Sequence, residues 1–456
     1  MRALSTHLGI FGAVCAIGLA MPAMAIAAGV PDKPTFTKDI APIFQEKCEA
    51  CHRVDSIAPM PLTTFEEARP WARSIKARVA ERQMPPWHID KTVGIQEFKY
   101  DRSLSDDQIA TIVKWIDQGA QKGDPKDMPP AKVWPNEQGW NFAKLFGQTE
   151  PDLIVRSTPF TQKAGANDTW WKPIVETGLT EPRWVRAIEI RPATVKGRKI
   201  THHAVERLIQ EETDPLAQNP LDNGTNIGGT FMEWAVGKQG EIMRPNSGKL
   251  MLPGAKIGFD IHYSATNEDV TDNVELGIYF YPKGQEPKFR QVLHNMSGTN
   301  SADVDIPPNT VKTTQGFFVL KENARIESFQ PHMHLRGKAM SMEAILPTGQ
   351  VTMLSYVSHF NFNWHNSYVY ADDAAPLLPK GTIIKVTAWH DNTTANKANP
   401  DPNVWVGHGD RTVDEMAHAW VNVTYLQDED YKVEIEARKA KINSNNTQQQ
   451  QQQQQQ

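Results

Sequence analysis

Five residues near the start of the chain carry a spacing that few chemistries use. Cys48-Glu49-Ala50-Cys51-His52 sets two thiols three residues apart and follows the second at once with an imidazole. This is the attachment sequence of a c-type haem. The thiols add to the haem vinyl groups, and the adjacent imidazole reaches the iron. A redox dithiol and half of a zinc site are the competing readings of the cysteine pair. The remaining cysteine, Cys15, lies inside an apolar N-terminal run. Once that run is removed, Cys48 and Cys51 can pair only with each other.

The sixth iron ligand should lie downstream. Met84, in Arg82-Gln83-Met84-Pro85-Pro86-Trp87, is the first candidate. Its two prolines stiffen an extended loop and hold a thioether in a fixed place. A neutral sulfur ligand favours ferrous iron and raises the potential. Met60, in Pro59-Met60-Pro61, is the rival, and His88 is a third candidate.

Histidines supply a second signal. The chain has 14, and several cluster: Thr201-His202-His203-Ala204, then His262, then His332-Met333-His334, with Asp414-Glu415-Met416 offering a thioether near the end. Residues two apart on a strand point the same way, so His332 and His334 can grip one metal. Adjacent His202 and His203 would point to opposite faces unless the strand bulges there. Imidazole suits copper, and thioether selects Cu(I). A three-imidazole set, His202, His203 and His262, and a set of two imidazoles and a thioether, His332, His334 and Met416, would each fit a copper ion, two in all. His390, His408 and His418 lie near the last motif without an assigned role.

The elements that must position these groups fall into two textures. Residues 33–125 read as helical. Thr37 caps a helix bearing Ile40, Ile43 and Phe44. Thr64 with Glu67 and Ser105 with Gln108 are capping boxes. Pro70 must kink or restart the helix it sits in, and Ile109, Ile112, Val113 and Ile116 recur at helical spacing before Gly119. Residues 126–150, rich in Pro, Lys and Asp, read as a linker. Beyond it the pattern alternates with period two, as in Lys256–Tyr263 and in Val274, Leu276, Ile278 and Phe280. Pro347-Thr348-Gly349-Gln350 marks a turn, and Ile383 to Trp389 a further strand. Many short strands of this kind point to antiparallel β-sandwiches at 151–300 and 301–428. The predicted fold class is therefore multidomain: an N-terminal all-α cytochrome c domain followed by two all-β sandwich domains. Residues 429–456 form a tail whose polar glutamine tract is expected to be disordered.

The N-terminus carries Arg2, an apolar run from Leu8 to Ala20, and two cleavage sites, Ala23-Met24-Ala25 and Ala25-Ile26-Ala27. This is a secretory signal, residues 1–27, and it places the mature chain in the periplasm or outside the cell. No later stretch is long enough to span a bilayer, so no membrane span is expected after cleavage. The net charge of −5 comes without a basic stripe, which argues against a nucleic-acid partner.

Residues 150–428 resemble the copper type II, ascorbate-dependent monooxygenases, the family of peptidylglycine α-hydroxylating monooxygenase and dopamine β-monooxygenase. The resemblance rests on His202-His203, Asp260-Ile261-His262-Tyr263, His332-Met333-His334 and Asp414-Glu415-Met416, in the family's order. The stretch from Asp391-Asn392 to Asn399-Pro400-Asp401-Pro402 is similar to the bacterial branch. It implies two jelly-roll sandwiches facing each other across a solvent-filled cleft. The first would hold an electron-transfer copper on His202, His203 and His262. The second would hold an oxygen-activating copper on His332, His334 and Met416, with those three residues catalytic. The implied reaction hydroxylates a C–H bond of a small-molecule substrate with O₂. Three departures matter. Gln330 stands where peptide-amidating members carry Arg, and His418 and Trp420 stand where they carry Asn and Tyr. No cysteines remain for the disulfides of animal members. The chain also brings its own haem, refilled by an external periplasmic donor, where the family uses ascorbate. The alternative function is a non-enzymatic periplasmic electron-transfer or copper-binding cytochrome.

Overall fold

The computed structural model describes residues 29–54, 56, 58–134, 139–217, 229–235, 238, 240–297 and 304–454. The expected export signal lies outside them. Among the described residues, no helix is long and apolar enough to cross a membrane.

The N-terminal helices are short: Ala41–Lys47, Phe65–Ala68, Ala72–Ala80 and Asp106–Asp117. Both capping boxes form, with Thr64 accepting from the Glu67 N–H and Ser105 from the Gln108 N–H. Pro70 sits in a 3₁₀ turn, Arg69–Trp71, which separates two of the helices. Thr37 is not a cap: it is buried within the π turn Phe36–Ile40, which Thr35 precedes. These helices close on a small core that includes Phe36, Ile40, Phe44, Ile112 and Trp115.

They do not make the expected all-α cytochrome c domain. The chain is mainly β, with 35% strand against 17% helix, and residues 86–100 leave the helices to join the C-terminal sandwich. Trp87 and Ile89 lie in that sandwich's core. Ile89 bridges Val357, and Phe98 bridges Tyr370. The Asp90, Ile95 and Lys99 N–H groups donate to the carbonyls of Tyr356, Leu354 and Val369 at 2.7, 2.9 and 2.7 Å. The physical reason is local. Pro85 and Pro86 block a helix, and the apolar side chains after them can reach water-free surroundings only on the neighbouring sheet.

The β-sandwich expectation fits the rest. Lys256–Tyr263 pairs with Thr201–Ile209, which pairs with Gly229–Ala235. This sheet packs on the sheet of Arg183–Pro192 and Val274–Phe280 around Ile188, Ile190, Ile257, Ile261 and Leu276. In the second half, Val311–Val319, Ile383–Asp391, Gly337–Ile345 and Val351–Val357 form a four-stranded sheet. It packs on the sheet that contains His418–Leu426. The halves are not separate at residue 300. Phe289–Asn295 pairs in parallel with Ser247–Met251 and antiparallel with His418–Leu426, so one eleven-stranded sheet runs through both.

The 126–150 segment is more than a tether. The Asn141 and Phe142 N–H groups donate to the Glu189 carboxylate at 2.7 and 3.0 Å, and Tyr279 Oη donates to it at 2.8 Å. Phe142 and Phe146 cover Tyr279. A Cβ on Gly277 would sit 2.5 Å from the Trp140 ring. This cover explains why Val274–Phe280 is buried on both faces although its sequence alternates. At the other end, Asp428–Gln454 is a helix and continues through the tract expected to be disordered.

Candidate metal centre

The first histidine set is assembled by a strand irregularity. His262 is opposite His203 and Tyr263 is opposite Thr201, so the ladder skips His202. That bulge turns two adjacent imidazoles toward one point, as sharing a metal requires. The ligand nitrogens of His202, His203 and His262 lie within 4.8 Å of one another. His202 Nδ1 and His203 Nδ1 are 3.0 Å apart. His262 is 1% exposed, and the Trp170 ring stacks on it at 4.4 Å. Its Nε2 is 2.9 Å from Asp168 Oδ2. The same contact, ahead of burial, holds the Asp168 carboxyl below its usual range. A carboxylate on the far nitrogen fixes a ligand ring's orientation and tautomer.

The second set forms differently from the strand argument. The strand Ser328–His332 ends at His332, so His334 lies beyond it. Buried Glu415 places His334: its Oε2 accepts from the N–H groups of His334 and Met416 at 2.9 and 3.3 Å, and its Oε1 from Arg336 at 2.5 Å. Burial pushes Glu415 up to about 7 against those donors. His334 Nδ1 faces the Asp414 carbonyl at 3.1 Å. His390 Nε2 lies 3.0 Å from the Met416 carbonyl. His332 and His334 have ring centres 5.3 Å apart, and Met416 is tied to them through Glu415.

The expected solvent-filled cleft between the sets is absent from the described residues. The His203 and His332 rings are 5.3 Å apart. Between the halves, Val205, Leu293 and Trp420 form a small core. Phe362 stacks on His202 at 4.6 Å and meets His334 at 5.9 Å. Between them sits a ring with no expected role, His365, 3% exposed, with Nδ1 3.0 Å from His332 Nδ1. His418 is half-buried and stacked on Trp420, 5.9 Å from His332, with Nδ1 on the Asn295 amide. His408 stands 6.0 Å from His418. Neither Asp168 nor His365 sits in a spaced motif, so only the folded chain brings them to the site.

Burial, followed by neighbouring imidazoles, lowers His202 to about 4 and His203, His332 and His365 well below the usual range. The rings are therefore neutral at neutral pH, the form that binds a metal. His202 Nε2, His262 Nδ1 and His365 Nε2 are buried without a hydrogen-bond partner. Three orphaned imidazole nitrogens in one cluster fit a metal ion, and an all-imidazole and thioether donor set fits copper.

The Cys48–His52 segment is also ordered. Cys48 and Cys51 are not bridged to each other. The Cys51 and His52 N–H groups both donate to the Cys48 carbonyl, at 3.1 and 3.0 Å. Burial pushes the Cys48 thiol up to about 12, unlike the depressed thiol of a redox dithiol. His52 Nδ1 faces the Met60 carbonyl at 3.0 Å, which leaves Nε2 to meet iron. Met60 therefore stands on the Nδ1 side of the His52 ring, packed against the N-terminal core. Met84 is half-buried at the end of the Arg78–Met84 turn. His88 is held on the C-terminal sandwich, its N–H donating to Tyr368 Oη at 3.2 Å. A cavity of about 600 Å³ runs from Cys51 past Trp87 and Trp234 to His365 and Asn366.

No protein-family profile matches the chain, and no curated protein matches it. Among solved structures, the VP2 subviral particle of infectious bursal disease virus aligns over 60% of this chain and 73% of its own, at 10% identity and a TM-score of 0.17. The Gx strain of that virus aligns over 62% and 74%, at 9% identity and a TM-score of 0.18. A Paenibacillus xanthan lyase aligns over 61% and 26%, at 9% identity and a TM-score of 0.15. At such scores these likenesses carry no argument about fold or function.

Proposed function

We propose that the chain is an exported, haem-fed copper monooxygenase that hydroxylates a C–H bond of a small substrate. The observation that carries this reading is the buried gathering of His202, His203 and His262 beside His332 and His334. It is supported by the ordered resemblance to the copper type II monooxygenases. In balance, R–H, O₂, two electrons and two protons give R–OH and water. Bound copper would supply the oxygen activation. A haem held by Cys48, Cys51, His52 and Met84 would supply one-electron transfer, and an external periplasmic donor would refill it.

The chain's own residues do the rest. Neutral imidazoles offer lone pairs without proton loss. Asp168 orients His262, and Glu415 aligns His334 with Met416. Cys51 and His365 line one cavity, so a haem joined to Cys51 would keep electron delivery within one molecule.

A second reading, a copper-binding electron-transfer protein without oxygen chemistry, is favoured by one observation: Phe362 fills the space between the two sets. Oxygen uptake by the reduced, copper-loaded protein separates them. Uptake with formation of a hydroxylated product supports the monooxygenase. Stable reduced copper in air, with reversible one-electron exchange, supports the second reading.

A further inference from the structure

The sequence presents His365 as one histidine in a polar and aromatic loop, His359-Phe360-Asn361-Phe362-Asn363-Trp364-His365-Asn366. The fold gives it a defined place. It lies between the strands Val351–Val357 and Tyr368–Val369, with ring centres 4.5 Å from His332 and 5.6 Å from both His202 and His203.

Two observations mark it as more than filling. The first is spacing. His365 Nδ1 and His332 Nδ1 are 3.0 Å apart, the separation also found between His202 Nδ1 and His203 Nδ1. Metal–imidazole bonds of about 2.0–2.1 Å, as for zinc, put two neighbouring ligand nitrogens on one ion about 3 Å apart. The second is the setting of that pair. His332 and His365 are 2% and 3% exposed, and two imidazole lone pairs that face each other away from water need a proton or a metal ion between them.

The loop is also held in advance. Gln330 Nε2 donates to the His365 carbonyl at 3.1 Å, and its other contact is the Glu233 carboxylate. Asn366 Nδ2 donates to the Pro86 carbonyl at 2.9 Å, and the Phe360 N–H donates to the Lys338 carbonyl at 2.9 Å. A ligand on a loop needs such support to stay in place.

We infer that His365 is a further metal ligand, the third imidazole of the His332–His334 set, and the ligand through which that set meets the cavity bordered by Cys51. This rests on the copper reading of the cluster. It gives the second ion three imidazoles and the Met416 thioether, and it brings that ion's ligand shell to the haem side of the molecule.

The test uses the full chain loaded with copper. His262→Ala removes a ligand from the first set, and pulsed EPR then counts imidazoles on the copper that remains. Three are expected, and two would overturn the inference. In a copper titration, His365→Gln should weaken the second site by more than about 100-fold. Loss of a mere outer partner of a ligand costs about 10–100-fold, so a loss within that range also overturns it. Thermal unfolding of His365→Gln beside the parent chain shows that the variant is folded, and the imidazole count stands without that variant. If the parent chain binds no copper, this inference and the copper reading fall together. If it binds two ions and the count is two, only this inference falls.

Discussion

Asn366 Nδ2 donates to the Pro86 carbonyl at 2.9 Å, across 280 residues of sequence. The bond clasps the loop that carries Met84 to the loop that carries His365. From Met84 the backbone runs through Pro85 to Pro86, crosses one hydrogen bond to Asn366, and reaches His365 and His332. If Met84 ligates haem, this is a short bonded route into the imidazole cluster. Asn366→Ala should therefore slow reoxidation of ferrous haem in the copper-loaded protein several-fold. Copper content and the haem spectrum should stay unchanged. Rapid mixing with O₂ and substrate measures the rate, which should be independent of protein concentration. An unchanged rate would remove the clasp from the route.

The haem should be covalent and ligated by His52 and Met84. The Met60 carbonyl faces His52 Nδ1, so Met60 stands on the far side of the imidazole from the nitrogen left for iron. The methionine-to-iron charge-transfer band should vanish in Met84→Ala and persist in Met60→Ala. The reverse pattern would return the assignment to Met60.

Asp168 should be an orienting residue for the first set. Its carboxylate holds His262 Nε2 at 2.9 Å and accepts from Thr412 Oγ1 at 3.1 Å. Asp168→Asn should lower copper affinity at His202, His203 and His262 by about 10–100-fold. The second site should keep its affinity. Equal loss at both sites, read by stepwise copper titration, would count against two separate ions.

Glycine-extended peptides should not be amidated. Gln330 spends its amide on Glu233 and the His365 carbonyl. Trp420 is packed against Val205 and Leu293. A peptide carboxylate would meet the buried Glu233, and the nearby Lys238 is already paired with Glu233 and Glu241 at 3.6 and 3.0 Å; an unpaired buried charge is costly. Robust turnover of a simple acyl-glycine would contradict this.

Acid should weaken the fold partly through His294. Burial lowers this ring to about 4, against about 6.5 in an unfolded chain. Its Nε2 lies 3.0 Å from Tyr425 Oη. Between those values the unfolded state binds the extra proton. The contribution is thus fully present above pH 6.5 and is lost as pH falls to about 4, roughly 3 kcal/mol in all. The difference in unfolding free energy between the parent chain and His294→Gln should shrink over that window. Parallel pH profiles in denaturant titrations would show that His294 is not responsible.

Local patterns were legible in the sequence. Cys48, Cys51 and His52 are adjacent in the chain, so their motif needs no fold to be seen. The capping boxes at Thr64 and Ser105 and the turn at Gly349 were legible for the same reason: each closes within a few residues. The β-sandwich texture came from alternation along single strands. The need for a bulge at His202 also followed from one strand's pleat.

What only the tertiary structure decided depends on contacts between distant segments. Trp87, Ile89 and Phe98 follow two prolines in a stretch without periodicity, so nothing local says that they complete a sheet edge hundreds of residues away. The Pro-rich stretch before residue 150 reads as a linker, yet Trp140 and Phe142 cover the face of a strand that carries Gly277 and Tyr279. Asp168 and His365 belong to no spaced motif and become partners of His262 and His332 only when strands and loops pack. The distance between the two histidine sets is likewise a property of the continuous sheet through Phe289–Asn295. Strand register sets such distances, and period-two alternation along one strand carries no information about which strand will lie beside it.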